Sequence, residues 1–325
     1  MADDNKGPET SSEINGLIFK ELIKRGYSLE GNTRVWNIAD SKLWYITPEQ
    51  AQGYLDLEDS ESYQALASGP EYELIENNID EVIERIGNEP VNVVDLGCGD
   101  GNKAAHIVEH LISKGLEVRY CPIDISGYLV QKAVETFSKK KIGEIVETKW
   151  NISDFENLDN VIPLMDSGKF KKNLFLLLGQ TLGNFELNEI LYSIRNAMRK
   201  KDIFVAVVGV VHPKWEERAK NAKNDKKMNS FLAHIPRQLG LKEDEIEFGS
   251  RFKNSRIEFY YTIKVDKKVT LYDKSVYFQK GDQVIVLVAY KKEKQELLEI
   301  MNMHFDEVLM KIHSDNATAL IIATE

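Results

Sequence analysis

The sequence predicts an α/β fold with a doubly wound parallel sheet, and three observations carry that prediction. From about Tyr72 onward, strand-like apolar runs alternate with amphipathic helical stretches. Leu174 to Leu178 and Ile203 to Val211 are apolar without interruption, as strands covered on both faces must be. The run Val91 to Leu96 breaks into Gly97-Cys98-Gly99-Asp100-Gly101 and then enters a helical stretch, a strand, loop and helix arrangement that brings backbone N–H groups close to a nucleotide-type ligand.

Each element follows from local pattern. Residues 1 to 12 are polar and aperiodic and are expected to be a tail. Ile14, Leu17, Ile18 and Leu22 recur at helical spacing, predicting a helix from Ser12 to about Gly26 with Ser11 or Ser12 as its cap. Pro48-Glu49-Gln50 starts a second short helix, and Trp36, Trp44, Tyr45, Tyr54 and Tyr63 read as core-filling rings. A helix through Ile75, Ile79, Val82 and Ile83 leads into the strand Val91 to Leu96. Next come a helix from Asn102 to about Lys114 and a strand from Val118 to Ile123. A helix from Tyr128 to Ser138 and a strand from Glu144 to Trp150 complete this half. A helix from Phe185 to Met198 separates the two central strands.

The pattern changes between His212 and Tyr290. Met228 to Leu241 reads as partly helical. Arg256 to Val265, Lys268 to Leu271, Ser275 to Phe278 and Gln283 to Val288 read as antiparallel strands, with turn chemistry at Lys280-Gly281-Asp282. A helix from Glu293 to Met303 and a hairpin of Val308 to Ile312 with Ala317 to Ala323 then end the chain. The organisation expected is an N-terminal segment 1–60 that joins a second α+β lobe, a Rossmann-like core 61–211, an inserted lobe 212–290, and the end of the core 291–325.

Composition narrows the function. At 325 residues and 42% apolar content, the chain can bury a large core. Two cysteines, Cys98 and Cys121, leave no disulfide framework, and the lack of a signal-like or membrane-spanning run predicts a cytoplasmic protein with no membrane partner. A net charge of -10 opposes binding to nucleic acid. The sequence prescribes no oligomeric state.

The loop chooses its ligand by charge. Dinucleotide loops follow G-x-G-x-x-G and aim a helix N-terminus at a pyrophosphate, whereas Gly97, Gly99 and Gly101 follow G-x-G-x-G between the acids Asp95 and Asp100. Two carboxylates repel pyrophosphate and suit a ligand with an ammonium and a sulfonium, so the expected cofactor is S-adenosylmethionine. The fold expected is then a Rossmann-like class I methyltransferase core. Ligands of such sheets sit at the strands' carboxyl ends. Asp124 ends the second strand, where a carboxylate accepts both ribose hydroxyls, although it also reads as a helix cap with Ser126. Asp154 and Phe155 follow the third strand, where an acid meets an adenine amino group and a ring packs on the base. Past the fourth strand comes Gly179-Gln180-Thr181-Leu182-Gly183-Asn184-Phe185. The Asn184 carbonyl there can accept from an attacking amine and aim its lone pair, or the residue can serve as an N-cap.

Leu-Gly-Asn-Phe at 182–185, Pro70-Glu71-Tyr72, and Arg256-Ile257-Glu258-Phe259 together resemble the histidine N-alpha-methyltransferase family of ergothioneine biosynthesis, from about residue 60 to the C-terminus. The resemblance implies that Asp95, Gly97, Asp124 and Asp154 hold the cofactor, and the loop and strand-end positions add Gly99, Gly101, Phe155 and Gly179. It implies that Tyr72 and Asn184 are the catalytic, acceptor-facing pair, with Phe259, Leu287 and Ala289 also against the acceptor. Two departures stand out. The family's Glu-x-Ser-x-Lys, whose acid and hydroxyl grip imidazole, is here Leu287-Val288-Ala289-Tyr290-Lys291, and its second tyrosine is Glu73. The reaction expected is N-methylation of a small amino-acid-like amine other than histidine, with Glu73 or Glu186 to receive the proton. The alternatives are a protein amine as acceptor, or cofactor binding without turnover.

His106-Ile107-Val108-Glu109-His110 also matches the inverted zincin pattern H-x-x-E-H. It lies on the helix straight after the glycine loop, which packs on the sheet, so two partly exposed helix histidines and no metal are expected.

Overall fold

The computed structural model describes residues 10–146, 154–155, 158–165 and 168–325. Its strands in chain order are β1 (Ser28–Glu30), β2 (Thr33–Asn37), β3 (Val91–Leu96), β4 (Val118–Ile123), β5 (Glu144–Ile145), β6 (Lys172–Leu177) and β7 (Ile203–Gly209). They continue with β8 (Ile246–Lys253), β9 (Arg256–Ile263), β10 (Lys267–Leu271), β11 (Lys274–Phe278), β12 (Gln283–Tyr290), β13 (Glu307–Ile312) and β14 (Thr318–Thr324). The chain divides into two compact units, residues 1–46 with 214–288, and residues 47–213 with 289–325.

The second unit is built on a seven-stranded sheet in the order β13-β14-β7-β6-β3-β4-β5. β3 runs parallel to β4 on one side and β6 on the other, and the C-terminal hairpin β13–β14 adds to β7 antiparallel. Side chains alternate between two apolar layers, which is what double winding requires. Val94 and Leu96 join the helices Leu187–Ala197 and Lys294–His304 on one face. Val91 and Val93 join Gly69–Ile86, Asn102–Ser113 and Gly127–Lys140 on the other. The helix Gly69–Ile86 shows why these segments are helical. Pro70 occupies its first turn, Leu74, Ile75, Ile79, Val82 and Ile86 form the buried stripe, and Gly87 at φ +71° closes it with an N–H to Ile83 O bond of 3.0 Å. β5 is the described part of the expected strand 144–150; residues 147–153 lie outside the described ones.

The first unit has a five-stranded sheet, β1-β2-β12-β9-β8, with a separate β10–β11 hairpin. Two expectations are corrected here. On one side β12 pairs in parallel with β2, Gln283 opposite Val35, because that neighbour comes from the N-terminal segment, while its other neighbour is β9 of the inserted lobe. β1, β2, β8 and the helix Trp215–Ala222 are further elements that the pattern reading passed over. The turn at 280–282 is built around buried Asp282, which accepts from Arg34 Nε at 3.0 Å, Trp36 Nε1 at 3.1 Å and Gln279 N at 3.0 Å. Glu258 of the Arg-Ile-Glu-Phe segment is fully buried and satisfied by Arg251 Nε at 2.6 Å and Arg256 Nε at 2.7 Å.

Candidate active site

The strand order places the switch point of the sheet between β3 and β6, because the connections from β3 leave toward β4 while β6 lies on its opposite side. Gly97 follows β3 and Gly179 follows β6. Two turns therefore meet over the same crevice. A cleft there is lined by Tyr54, Glu58, Asp95, Gly97, Gly99, Asp100, Lys103 and Gly179, among others.

The three glycines do different work. All have positive φ, +69°, +54° and +77° for Gly97, Gly99 and Gly101. A Cβ on Gly99 would meet nothing within 4 Å, so that residue opens onto the cleft, and one on Gly97 would lie 3.6 Å from the Phe155 ring. A Cβ on Gly101 would fall 3.0 Å from Ala133 Cα. Gly101 is thus required by helix packing, and its part in ligand binding is indirect.

Two buried carboxylates flank the loop. Asp95 accepts from Tyr120 Oη at 2.8 Å, yet burial pushes its carboxyl up to about 7, against that bond and with help from Asp124. Asp124 stands at the end of β4, takes Ser126 N at 2.9 Å and Gly99 N at 3.4 Å, and is raised by burial to about 6. Both acids are costly without a cationic or hydroxyl-bearing ligand. A pH dependence follows, with its sign fixed. From about pH 4 to about 7 the ligand-free native state keeps protons that the unfolded chain has released, so this contribution to stability declines as pH rises. Binding of a cationic, hydroxyl-bearing cofactor needs the ionised acids, so its affinity should rise between about pH 5.5 and 7.5. Calorimetric titrations across that range check it; a flat profile would count against both acids.

Pattern reading missed the cationic group of the cleft. Lys103, in the first turn of Asn102–Ser113, is nearly buried between two carboxylates, ion-paired to Glu58 and 3.3 Å from Glu71 Oε2. Burial works against its charge, and Glu71 with Glu58 outweigh burial and hold the ammonium well above its usual range. Glu71 is fully buried and its Oε1 accepts the Gly179 N–H at 2.6 Å, tying the helix Gly69–Ile86 to the turn after β6. A lysine beside a glycine loop ordinarily reads as a solvated helix residue; the signal within reach was Glu71 itself, in the quoted Pro-Glu-Tyr segment.

Tyr72 is the next residue on that helix. It is half-buried, packs edge-on against the His106 ring at 5.8 Å, and is pushed up to about 12 chiefly by burial, so it is a neutral phenol at physiological pH. Asn184 ends the single turn Thr181–Asn184. The helix after it begins at Leu187 with Glu186 at the cap position, so Asn184 is not its N-cap. Phe155 lies 5.4 Å from Phe185, ring to ring, on the side of Gly97, and Asp154 beside it is half-buried. Lys291 is also buried here, lowered to about 8 by desolvation, its chain laid over Gly209, where a Cβ would fall 2.6 Å from Nζ.

The surroundings of the remaining expected residues are as follows. Glu73 is exposed and bonded to His313 Nε2 at 2.9 Å, and Glu186 is exposed. In the first unit, Phe259 is buried and stacks on Phe248 at 5.9 Å, and Leu287 is buried in β12. Ala289, two residues on in β12, is half-buried. Glu109 of the zincin-like pattern turns to Lys140 Nζ at 2.8 Å, away from the base role that pattern needs.

A largely parallel sheet with an acid- and glycine-lined cleft at its switch point is the arrangement of S-adenosylmethionine-dependent methyltransferases. The family described as histidine-specific methyltransferase, SAM-dependent, matches residues 61–322, and this chain belongs to it. A stretch of 49 residues is 41% identical to the non-reducing polyketide synthase esdpA of Penicillium shearii, and 77 residues are 34% identical to the non-reducing polyketide synthase Preu3 of Preussia isomera. These alignments cover 15% and 22% of this chain but only 2% and 3% of those proteins. Among solved structures, a S-adenosylmethionine-dependent methyltransferase from Clostridium acetobutylicum is similar at TM-score 0.44 and 12% identity, over 84% of this chain and 98% of that one. Among the described residues, no helix is long and apolar enough to cross a membrane.

Proposed function

We propose that this chain methylates the amine of a small amino-acid-like molecule other than histidine. The observation that carries the reading is the placement of Asn184. It ends the single turn that follows β6 and the cleft residue Gly179, and it is released from capping duty. S-adenosylmethionine supplies an electrophilic methyl group on a sulfonium. The residues present fit it: Asp124 for the ribose hydroxyls, Asp154 and Phe155 for the adenine, and Asp95, Lys103, Gly97, Gly99 and Gly179 for the amino-acid end. Asp95 would be the partner of the ammonium there.

Positioning is the chemistry the chain itself performs. The Asn184 carbonyl accepts from an amine N–H and turns the nitrogen lone pair, and the neutral Tyr72 phenol holds the acceptor from the neighbouring helix. The released proton passes to water, since Glu73 and Glu186 are both exposed. Leu287 and Ala289, where the resembling family has an acid and a hydroxyl, leave imidazole without polar partners and favour a less polar side chain.

The test is methyl transfer from labelled cofactor across a panel of free amino acids. Turnover should be greatest on an amino acid with a less polar side chain, and histidine should be poor. Asn184→Ala should lower kcat by about 100-fold with cofactor affinity unchanged, because it misplaces the acceptor alone. Histidine as the best acceptor would overturn the substrate class, and an unchanged kcat would remove Asn184 from its role.

A further inference from the structure

The histidine pair on Asn102–Ser113 is joined by a residue that the sequence pattern does not contain. Glu76, on the helix Gly69–Ile86, brings its carboxylate to both rings: Oε2 lies 2.6 Å from His106 Nε2 and Oε1 lies 3.4 Å from His110 Nε2. One donor atom from each of the three residues falls within 4.8 Å of the others. We propose that Glu76, His106 and His110 bind a single zinc-class divalent cation, which clamps these two helices together outside the glycine-loop cleft.

Three features support the site. His106 and His110 are spaced i, i+4, so both imidazoles leave one helix face. The ring Nδ1 of His110 is 3.0 Å from the His106 carbonyl. A carbonyl only accepts, so this contact keeps the hydrogen on Nδ1 and leaves Nε2 as the ring nitrogen a metal can take. That nitrogen lies 3.4 Å from Glu76 Oε1, a separation that a single cation can bridge. The edge of a zinc tetrahedron with ligand arms of ~2.0–2.1 Å is about 3.3 Å, so the present separations of 2.6 and 3.4 Å need only side-chain adjustment.

Two nitrogens and one oxygen select zinc or a neighbouring late first-row ion over calcium or magnesium. On binding, the proton that His106 shares with Glu76 leaves to solvent, and water completes the coordination. None of the three residues lines the glycine-loop cleft, and Glu109 is held by Lys140, so the site is a clamp rather than a hydrolytic centre.

Chelator-treated full-length protein titrated with zinc sulfate against a chromophoric zinc indicator tests the proposal. Wild type should take one equivalent, His304→Gln should match it, and His110→Gln and Glu76→Gln should each weaken binding by about 10-fold or more. Zinc should raise the melting midpoint of wild type and leave that of the His106→Gln, His110→Gln double variant unmoved. All substitutions lie on exposed or half-exposed side chains, and Glu76→Gln removes the clamp without touching the histidines. Absence of zinc binding, or equal binding by either the double variant or Glu76→Gln, would overturn the site.

Discussion

Asp124→Ala is expected to weaken S-adenosylmethionine binding by roughly 100-fold or more. A carboxylate accepting two hydroxyls gains about 1.5–3 kcal/mol per charge-assisted bond, and each 1.4 kcal/mol is a factor of about ten in affinity. Asp124 is held by the Ser126 and Gly99 N–H groups at the end of β4, so its carboxylate is pre-oriented. Asp124→Asn separates binding from folding. Burial already raises this carboxyl to about 6, so a neutral amide of the same shape should leave the ligand-free melting point unchanged or higher while abolishing the ligand-induced shift. Glu109→Gln, on an exposed ion pair, serves as the control. Calorimetry decides: unchanged affinity in Asp124→Ala would take this residue out of the site.

The sheet unit was largely legible because its strands are continuous apolar runs and its turns carry obligatory glycines. Val91–Leu96 and Val118–Ile123 were bounded to the residue, since each is buried on both faces and ends where an acid or glycine takes over. Strand pairing was not legible in the first unit. β2 is a short strand rich in polar residues whose partner lies some 250 residues away, and no local pattern encodes a parallel neighbour at that distance. The same limit applied to the cleft. Asp95, Asp124 and the glycines announce themselves through the loop, whereas Lys103, Glu58 and Glu71 gather from three helices. Each carries an ordinary helix-surface residue type whose burial is created by the packing alone. Glu76 escaped for that reason too, since its relation to His106 exists only once two helices lie side by side.

Restoring the resembling family's pattern should raise histidine methylation. Leu287→Glu with Ala289→Ser places an acid and a hydroxyl two residues apart in β12, so both side chains point to the same face of the strand. Lys291, the third member of the Glu-x-Ser-x-Lys pattern, is already in place and held by its packing over Gly209. A buried polar pair that matches an imidazole discriminates far more strongly than apolar fit, because the alternative leaves the ring unpaired; a gain of about 10-fold or more in kcat/KM for histidine is expected. Turnover of the acceptor preferred by wild type should fall in the same variant, since a less polar side chain would then face two desolvated polar groups. The assay compares labelled methyl transfer to histidine and to the preferred amino acid in wild type, each single variant and the double variant. Cofactor affinity should stay constant throughout, because neither residue lines the glycine-loop cleft. Efficient histidine turnover by wild type, or a double variant with unchanged preference, would show that Leu287 and Ala289 do not face the acceptor.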